Sequence, residues 1–237
     1  MDQDREPNES QGDEPQPEDF LPSEKPRPFG FDLYPETGSA IVANTFVFLA
    51  TMASIAHWRT PPGHLSHFVA SKASVFTDGE YWRLLTALGG HGDFMHFAHN
   101  MPILWFFAWL LKGYFGFLIA LVGALLVGIA ANAVTVFTYK ENVQLLGASG
   151  MVYGMVAMWL VLYIRFDHKG WWVKRAMRSL GFALLVLFPQ TYEANVSYTA
   201  HGAGFLIGGL VGLSFMGYAS KYAPVFTEHY YLPQGAS

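Results

Sequence analysis

The sequence predicts an all-α, polytopic membrane protein: a bundle of six transmembrane helices with a long, partly embedded first loop. Three observations predict this class. Of the 237 residues, 52% are hydrophobic and only 14% are charged, and the mean hydropathy is +0.24. The charge is unevenly placed, because 11 of the 18 acidic residues lie in the first 36 positions. The rest of the chain contains uncharged segments of roughly 20 residues, which as helices cross about 30 Å of hydrocarbon.

Composition divides the chain into three parts. Residues 1–37 are acidic and proline-rich with few large apolar side chains, so we expect a disordered cytosolic tail. Residues 38–220 form the predicted membrane domain, and residues 221–237 form a short C-terminal tail. Cysteine is absent, which excludes disulfides and a cysteine nucleophile. No basic stripe suited to nucleic acid occurs, so we expect no nucleic-acid partner.

Six segments are candidates for membrane spans. Five of them are mainly apolar, whereas the fifth in chain order must borrow the amphipathic stretch 171–178, whose Lys and Arg heads can reach the interface. The predicted spans are 39–58, 94–112, 114–138, 147–165, 172–190 and 197–219.

The distribution of Lys and Arg predicts the orientation of these spans. With six spans and a cytosolic N-terminus, ten of the 14 basic residues fall on the cytosolic side. The other four, Arg59, Lys72, Arg83 and Lys140, fall on the outer side. Because cytoplasmic loops are enriched in Lys and Arg, we predict an integral multi-pass protein of the bacterial inner (plasma) membrane with its N-terminus in the cytoplasm.

The connection from about residue 59 to residue 93 is the one long predicted loop. Large apolar side chains recur through it, which is unusual for a polar linker. Loops of this length are usually functional, so we expect it to pack against the bundle and to lie partly in the outer leaflet.

Polar residues suited to catalysis recur at the start of three spans. Spans two, four and six enter the membrane from the same predicted side, which places His96 and Asn100, Ser149, and His201 at one depth. A serine needs a base within hydrogen-bond reach and donors for the developing oxyanion. The four-residue spacing of Gly150 and Gly154 and of Gly204 and Gly208 would allow the fourth and sixth helices to approach closely.

Tyr153 lies one turn after Ser149 and is expected to support the imidazole of His201. No carboxylate occurs within any predicted span that could complete a triad. The residues therefore indicate a serine–histidine dyad.

Together these motifs resemble the rhomboid family of intramembrane serine proteases. The resemblance rests on Trp82-Arg83 in the long loop, His96-x-x-x-Asn100, Gly147-Ala148-Ser149-Gly150 with Tyr153, and Ala200-His201 followed by Gly204 and Gly208. It covers residues 40 to 218 and implies a six-helix rhomboid bundle with a Ser149/His201 dyad. It further implies an oxyanion hole made by His96, Asn100 and the Ser149 backbone N–H, with transmembrane proteins as substrates and the lipid bilayer as surroundings.

Other interpretations remain open from the sequence. The spacing of His91, His96 and His99 would suit a metal. Asp93 is the only nearby carboxylate, and a hydrogen-bonding site plus an interfacial residue accounts for His96 and His99, so we expect no metal and no cofactor. We interpret Trp82-Arg83 as an interfacial anchor with its cation near lipid phosphate. A catalytically silent rhomboid-like protein that binds membrane clients, or a small transporter, would share the apolar spans.

Overall fold

The computed structural model describes residues 38–61, 64–141, 143–166, 171–187 and 197–221. Six long helices in this part of the chain coincide closely with the predicted spans, and two short α-helices and one π-helical turn, Ala73–Thr77, accompany them. The helices are α1 (Ser39–Trp58), α2 (Arg83–Thr86), α3 (Phe94–Phe115), α4 (Leu118–Thr138), α5 (Ser149–Phe166), α6 (Trp172–Leu187), α7 (Tyr198–Ser214) and α8 (Met216–Ala219). The predicted N-terminal tail, and all of the C-terminal tail except Lys221, lie outside the described residues.

Side chains at the helix starts explain two of these boundaries. Asp93 caps α3, because its carboxylate accepts the backbone N–H of His96 at 2.8 Å. Ser197 caps α7, because its hydroxyl accepts the backbone N–H of Ala200 at 3.1 Å. Such caps satisfy N–H groups that have no acceptor within the helix. Two of the three helices that carry predicted catalytic groups, α3 and α7, therefore begin at a capping side chain.

Long apolar helices make the chain an integral membrane protein by composition. In the described residues, α1, α4 and α5 are each long and apolar enough to cross a bilayer. Large apolar side chains also point outward from the bundle, including Phe48 of α1, Phe137 of α4 and Leu206 of α7. Exposed apolar surface on this scale suits contact with lipid. Because α6 and α7 have only 16 and 17 residues, the crossing of all six helices stays a prediction.

Helix α5 is the centre of the bundle. It contacts α3, α4, α6 and, most extensively, α7. Glycines allow this last contact: a Cβ atom at Gly204 would overlap the carbonyl oxygen of Gly150, and one at Gly208 would overlap that of Gly154. The backbones of α5 and α7 thus touch directly, as the four-residue glycine spacing predicts.

The long loop, residues 59–93, packs against the segment that leads into α5. Ala70 and Leu145 exchange backbone hydrogen bonds of 2.9 and 2.8 Å, and the N–H of Gly147 donates to the carbonyl of Ala87 at 2.8 Å. Buried apolar residues of the loop, including Val75, join this cluster. The loop therefore holds the chain immediately before Ser149.

The structure corrects the interpretation of Arg83. Its side chain is 4% exposed, so its cation does not lie near lipid phosphate. It pairs with Glu80 and donates to the backbone carbonyls of Ser66 and Val69 at 2.6 and 3.1 Å. Arg83 stabilises the folded loop from a buried position, because its planar guanidinium donates to several acceptors at once. Only Trp82, which is 42% exposed and stacks on the guanidinium, fits an interfacial position.

Candidate active site

A cavity of about 690 Å³ opens where α3, α5 and α7 begin. Its lining includes His96 and Asn100 from α3, Ser149 from α5 and His201 from α7. Gly147 and Gly150 line it as well. The structure thus brings together the residues predicted as nucleophile, base and oxyanion donors, although they are spread over more than 100 positions of the chain.

Ser149 is the first residue of α5 and is half-buried at the cavity wall. The first N–H groups of a helix have no acceptor within it, so the backbone of Ser149 offers a donor beside its own hydroxyl. The turn before it depends on Gly147, whose φ of 120° is unfavourable for other residues. A Cβ there would also lie 2.8 Å from the His96 ring.

His201 is buried in α7 and lies flat against Tyr153 of α5. The two ring centroids are 4.0 Å apart and the planes differ by 14°. The Nδ1 atom of His201 is buried without a hydrogen-bond partner among the described residues. The hydroxyl of Tyr153 donates to the carbonyl of Leu187 at the end of α6, at 3.5 Å. Stacking therefore sets the plane of the imidazole, and no side-chain acceptor in the described chain fixes its tautomer.

No hydrogen bond joins Ser149 and His201 within the described residues. Catalytic hydrogen bonds are often long in the absence of substrate and tighten when it binds. The cavity allows this approach, because Ser149 and His201 both lie on its wall.

Asn100 is buried one turn after His96. Its amide nitrogen donates to the backbone carbonyl of His96 at 2.8 Å, while its Oδ1 is buried without a partner in the described structure. An amide nitrogen carries two hydrogens, so one N–H remains for an anion. Donors held in this way stabilise a developing oxyanion without reorganisation.

Four further residues shape the site that the motifs did not single out. Asn132 is buried in the cavity wall and donates to the carbonyl of Leu84. Tyr139 and Ser197 share a short hydrogen bond across the cavity. His91 is fully buried behind the wall. Ser197 stands just before a helix, which is a recognisable capping signal. Asn132 and Tyr139 have no pattern in the local sequence, and the spacing of His91 indicated only a metal site.

The described residues contain no cluster of three His, Asp or Glu side chains arranged to hold a metal ion. Both ring nitrogens of His91 instead lie near protein atoms. Its ring and that of His96 meet edge to face at 5.0 Å.

A family model described as the Rhomboid domain matches residues 78–218, more than half of the chain. This chain belongs to the rhomboid family. The match includes the cavity residues of α3, α5 and α7 and the loop around Arg83. Rhomboid membership agrees with the helical bundle, with its apolar surface and with an integral membrane protein.

Three named relatives each match between 59% and 65% of this chain. The chain is 32% identical over 148 residues to the putative rhomboid protease YdcA of Bacillus subtilis, covering 59% of this chain and 68% of that protein. It is 29% identical over 168 residues to RHOMBOID-like protein 5 of Arabidopsis thaliana, covering 65% and 52%. It is 27% identical over 158 residues to the rhomboid protease GluP of Bacillus subtilis, covering 63% and 29%. The match thus spans about half of the Arabidopsis relative and less than a third of GluP.

Proposed function

We propose that this chain is a serine endopeptidase that hydrolyses peptide bonds in or near the transmembrane segments of other membrane proteins. The observation that carries the proposal is the single cavity on which Ser149, His201, His96 and Asn100 all lie. Membership of the rhomboid family supports it, as do the two Bacillus relatives named as proteases.

The proposed reaction is acyl transfer through a serine–histidine dyad. The Ser149 hydroxyl oxygen bonds to the scissile carbonyl carbon while the imidazole of His201 takes the hydroxyl proton. The carbon–nitrogen bond then breaks, and His201 gives that proton to the leaving amine. Water attacks the resulting ester, losing a proton to His201, and the carboxylic acid leaves as His201 returns the proton to Ser149.

The oxyanion formed in each addition step would be held by three donors. These are the imidazole of His96, the second amide N–H of Asn100 and the backbone N–H of Ser149. Removing one oxyanion donor typically raises the barrier by about 2.7–4 kcal/mol. Tyr153 contributes by holding the plane of His201 through the stacked contact at 4.0 Å.

The proposal includes the six-span topology with the cavity on the outer side of a bacterial inner membrane and a cytoplasmic N-terminus. The excess of Lys and Arg in the segments predicted to be cytoplasmic supports this orientation. Reporter fusions after residues 168 and 194 test it, and we expect them on opposite sides of the membrane. Both reporters on one side would overturn the topology.

Cleavage of a fluorescent transmembrane substrate in detergent tests the activity. We expect cleavage by the wild-type chain and none by Ser149→Ala that folds equally well. If purified wild-type chain binds transmembrane segments without cleaving any in a broad panel, the proposal fails and a client-binding role replaces it. If Ser149→Ala cleaves at the wild-type rate, the nucleophile is another residue.

A further inference from the structure

His91 is a fully buried imidazole that the proposed reaction does not use. It lies between the long loop and α3, with 0% of its surface exposed. Burying a polar ring is costly unless its nitrogens are hydrogen-bonded. The positions of its two nitrogens therefore indicate what it does.

One side of His91 is attached to α1. Its Nδ1 lies 3.0 Å from the hydroxyl of Ser54 and 3.2 Å from the carbonyl of Gly89. The Ser54 hydroxyl in turn donates to Gly89 at 3.0 Å, and the indole N–H of Trp58 donates to the His91 carbonyl at 2.7 Å. Two side chains of α1 thus fix both the ring and the backbone of His91.

The other side of His91 faces the turn that carries the proposed nucleophile. Its Nε2 accepts the backbone N–H of Ala148 in a long hydrogen bond of 3.5 Å. Ala148 immediately precedes Ser149, and its carbonyl accepts the first hydrogen bond of α5. Because Nε2 accepts, the neutral ring carries its proton on Nδ1, where Ser54 and Gly89 provide acceptors.

The same ring also touches the proposed oxyanion donor. Its centroid is 5.0 Å from that of His96 and the planes meet at 70°. The His96 ring also lies close to Gly147, because a Cβ there would be 2.8 Å from it. His91 therefore contacts both the turn before Ser149 and the ring of His96. Among the described side chains of the loop, only that of His91 is hydrogen-bonded to this turn.

We propose that His91 is a positioning residue that, anchored by Ser54 of α1, fixes the Ala148 N–H and the His96 ring and thereby the alignment of Ser149 with the oxyanion donors. The proposal rests on the proposed function of Ser149. It assigns a role in the reaction to α1, which supplies no residue to the cavity wall among those described.

Two amide substitutions separate this role from simple packing. The oxygen of Gln in His91→Gln can reach the place of Nε2 and accept the Ala148 N–H. The shorter amide in His91→Asn can replace only Nδ1 and keep the contact with Ser54. We expect His91→Gln to keep more of the wild-type kcat than His91→Asn, which should lose about tenfold or more in kcat with little change in KM. His91→Asn as active as His91→Gln, at equal melting temperature, would overturn the proposal.

A second pair of variants decides the matter if the His91 variants do not fold. Ser54→Ala removes the anchor of His91. Thr51→Val removes a hydroxyl of the same helix that bonds only to its own Val47 carbonyl, at 2.7 Å. We expect a lower kcat with unchanged KM for Ser54→Ala alone. Equal kinetics for the two variants would overturn the proposal.

Hydrogen–deuterium exchange separates this proposal from the proposed function. We expect faster exchange of the Ala148 amide in His91→Asn than in His91→Gln, whether or not a substrate is cleaved. An inactive wild-type chain with this exchange pattern would refute the protease function but would still support the contact between His91 and the Ala148 amide. Equal exchange in an active enzyme would refute the role of His91 alone.

Discussion

Gly204 of α7 tests whether close helix packing positions the proposed base. A Cβ there would overlap the Gly150 carbonyl oxygen and lie 2.9 Å from the carbonyl carbon. Carbon atoms pack at about 3.5–4.0 Å, so the contact with the carbonyl carbon alone requires α5 and α7 to separate by at least about 0.6–1.1 Å. A shift of about 1 Å near reacting groups can cost about 10²-fold in rate. We therefore expect Gly204→Ala to lower kcat by about 10- to 100-fold, with a loss of about 1–3 kcal/mol in stability from overpacking.

Gly209→Ala is the matched control, because it places the same methyl group on the same helix with nothing within 4 Å. Alanine favours a helix over glycine by about 0.5–1 kcal/mol, so this variant should melt no lower than wild type and keep its kcat. The assay is cleavage of a transmembrane substrate in detergent, with the melting temperature measured on the same samples. Gly204→Ala that matches Gly209→Ala in both measurements would refute the reasoning.

Three other changes give distinct outcomes. Arg83→Lys cannot keep every contact of the planar guanidinium, and each buried carbonyl left unpaired costs about 1–3 kcal/mol. This variant should therefore unfold in detergent at a lower temperature than wild type. An unchanged melting temperature would contradict this expectation. Tyr153→Phe keeps the ring stacked on His201 and should retain most turnover, whereas Tyr153→Ala should lose about tenfold or more; equal rates would show that stacking is unimportant. Burial lowers the pKa of His91 from 6.5 to about 3. Below about pH 6.5 the unfolded chain binds a proton that the folded chain does not, so His91 contributes stability above about pH 6.5 that is lost as the pH falls toward about 3. As the pH is lowered through this range, the melting temperature of His91→Gln should fall less steeply than that of wild type. Parallel curves for the two proteins would contradict the assignment of this loss of stability to His91.

Five of the six long helices could be predicted because each is a long apolar run with charge only near its ends, whereas α6 was predicted from a shorter apolar run preceded by an amphipathic stretch. The structure adds the capping side chains Asp93 and Ser197 at two of the helix starts. The four-residue spacing of glycines predicted the contact between α5 and α7 because small residues on one helical face let backbones meet. Local patterns therefore determined both the elements and their closest contact.

Arg83 and His91 could not be interpreted from the sequence, for a shared physical reason. The acceptors of Arg83 are backbone carbonyls at Ser66 and Val69, and every residue type has such a carbonyl. The partners of His91 come from α1 and from the turn before α5, which are 37 and 57 positions away. Only the packed loop brings these groups together, so Arg83 was misplaced at the lipid surface and His91 was considered only as a metal ligand.

The most direct test of the central claim is the site of covalent labelling by a fluorophosphonate, identified by peptide mapping of the purified chain. The account predicts one adduct, on Ser149, which forms in the wild-type chain and is lost in His201→Ala although that variant remains folded. An adduct on a different serine, or labelling of Ser149 that is equally fast in His201→Ala, would contradict it.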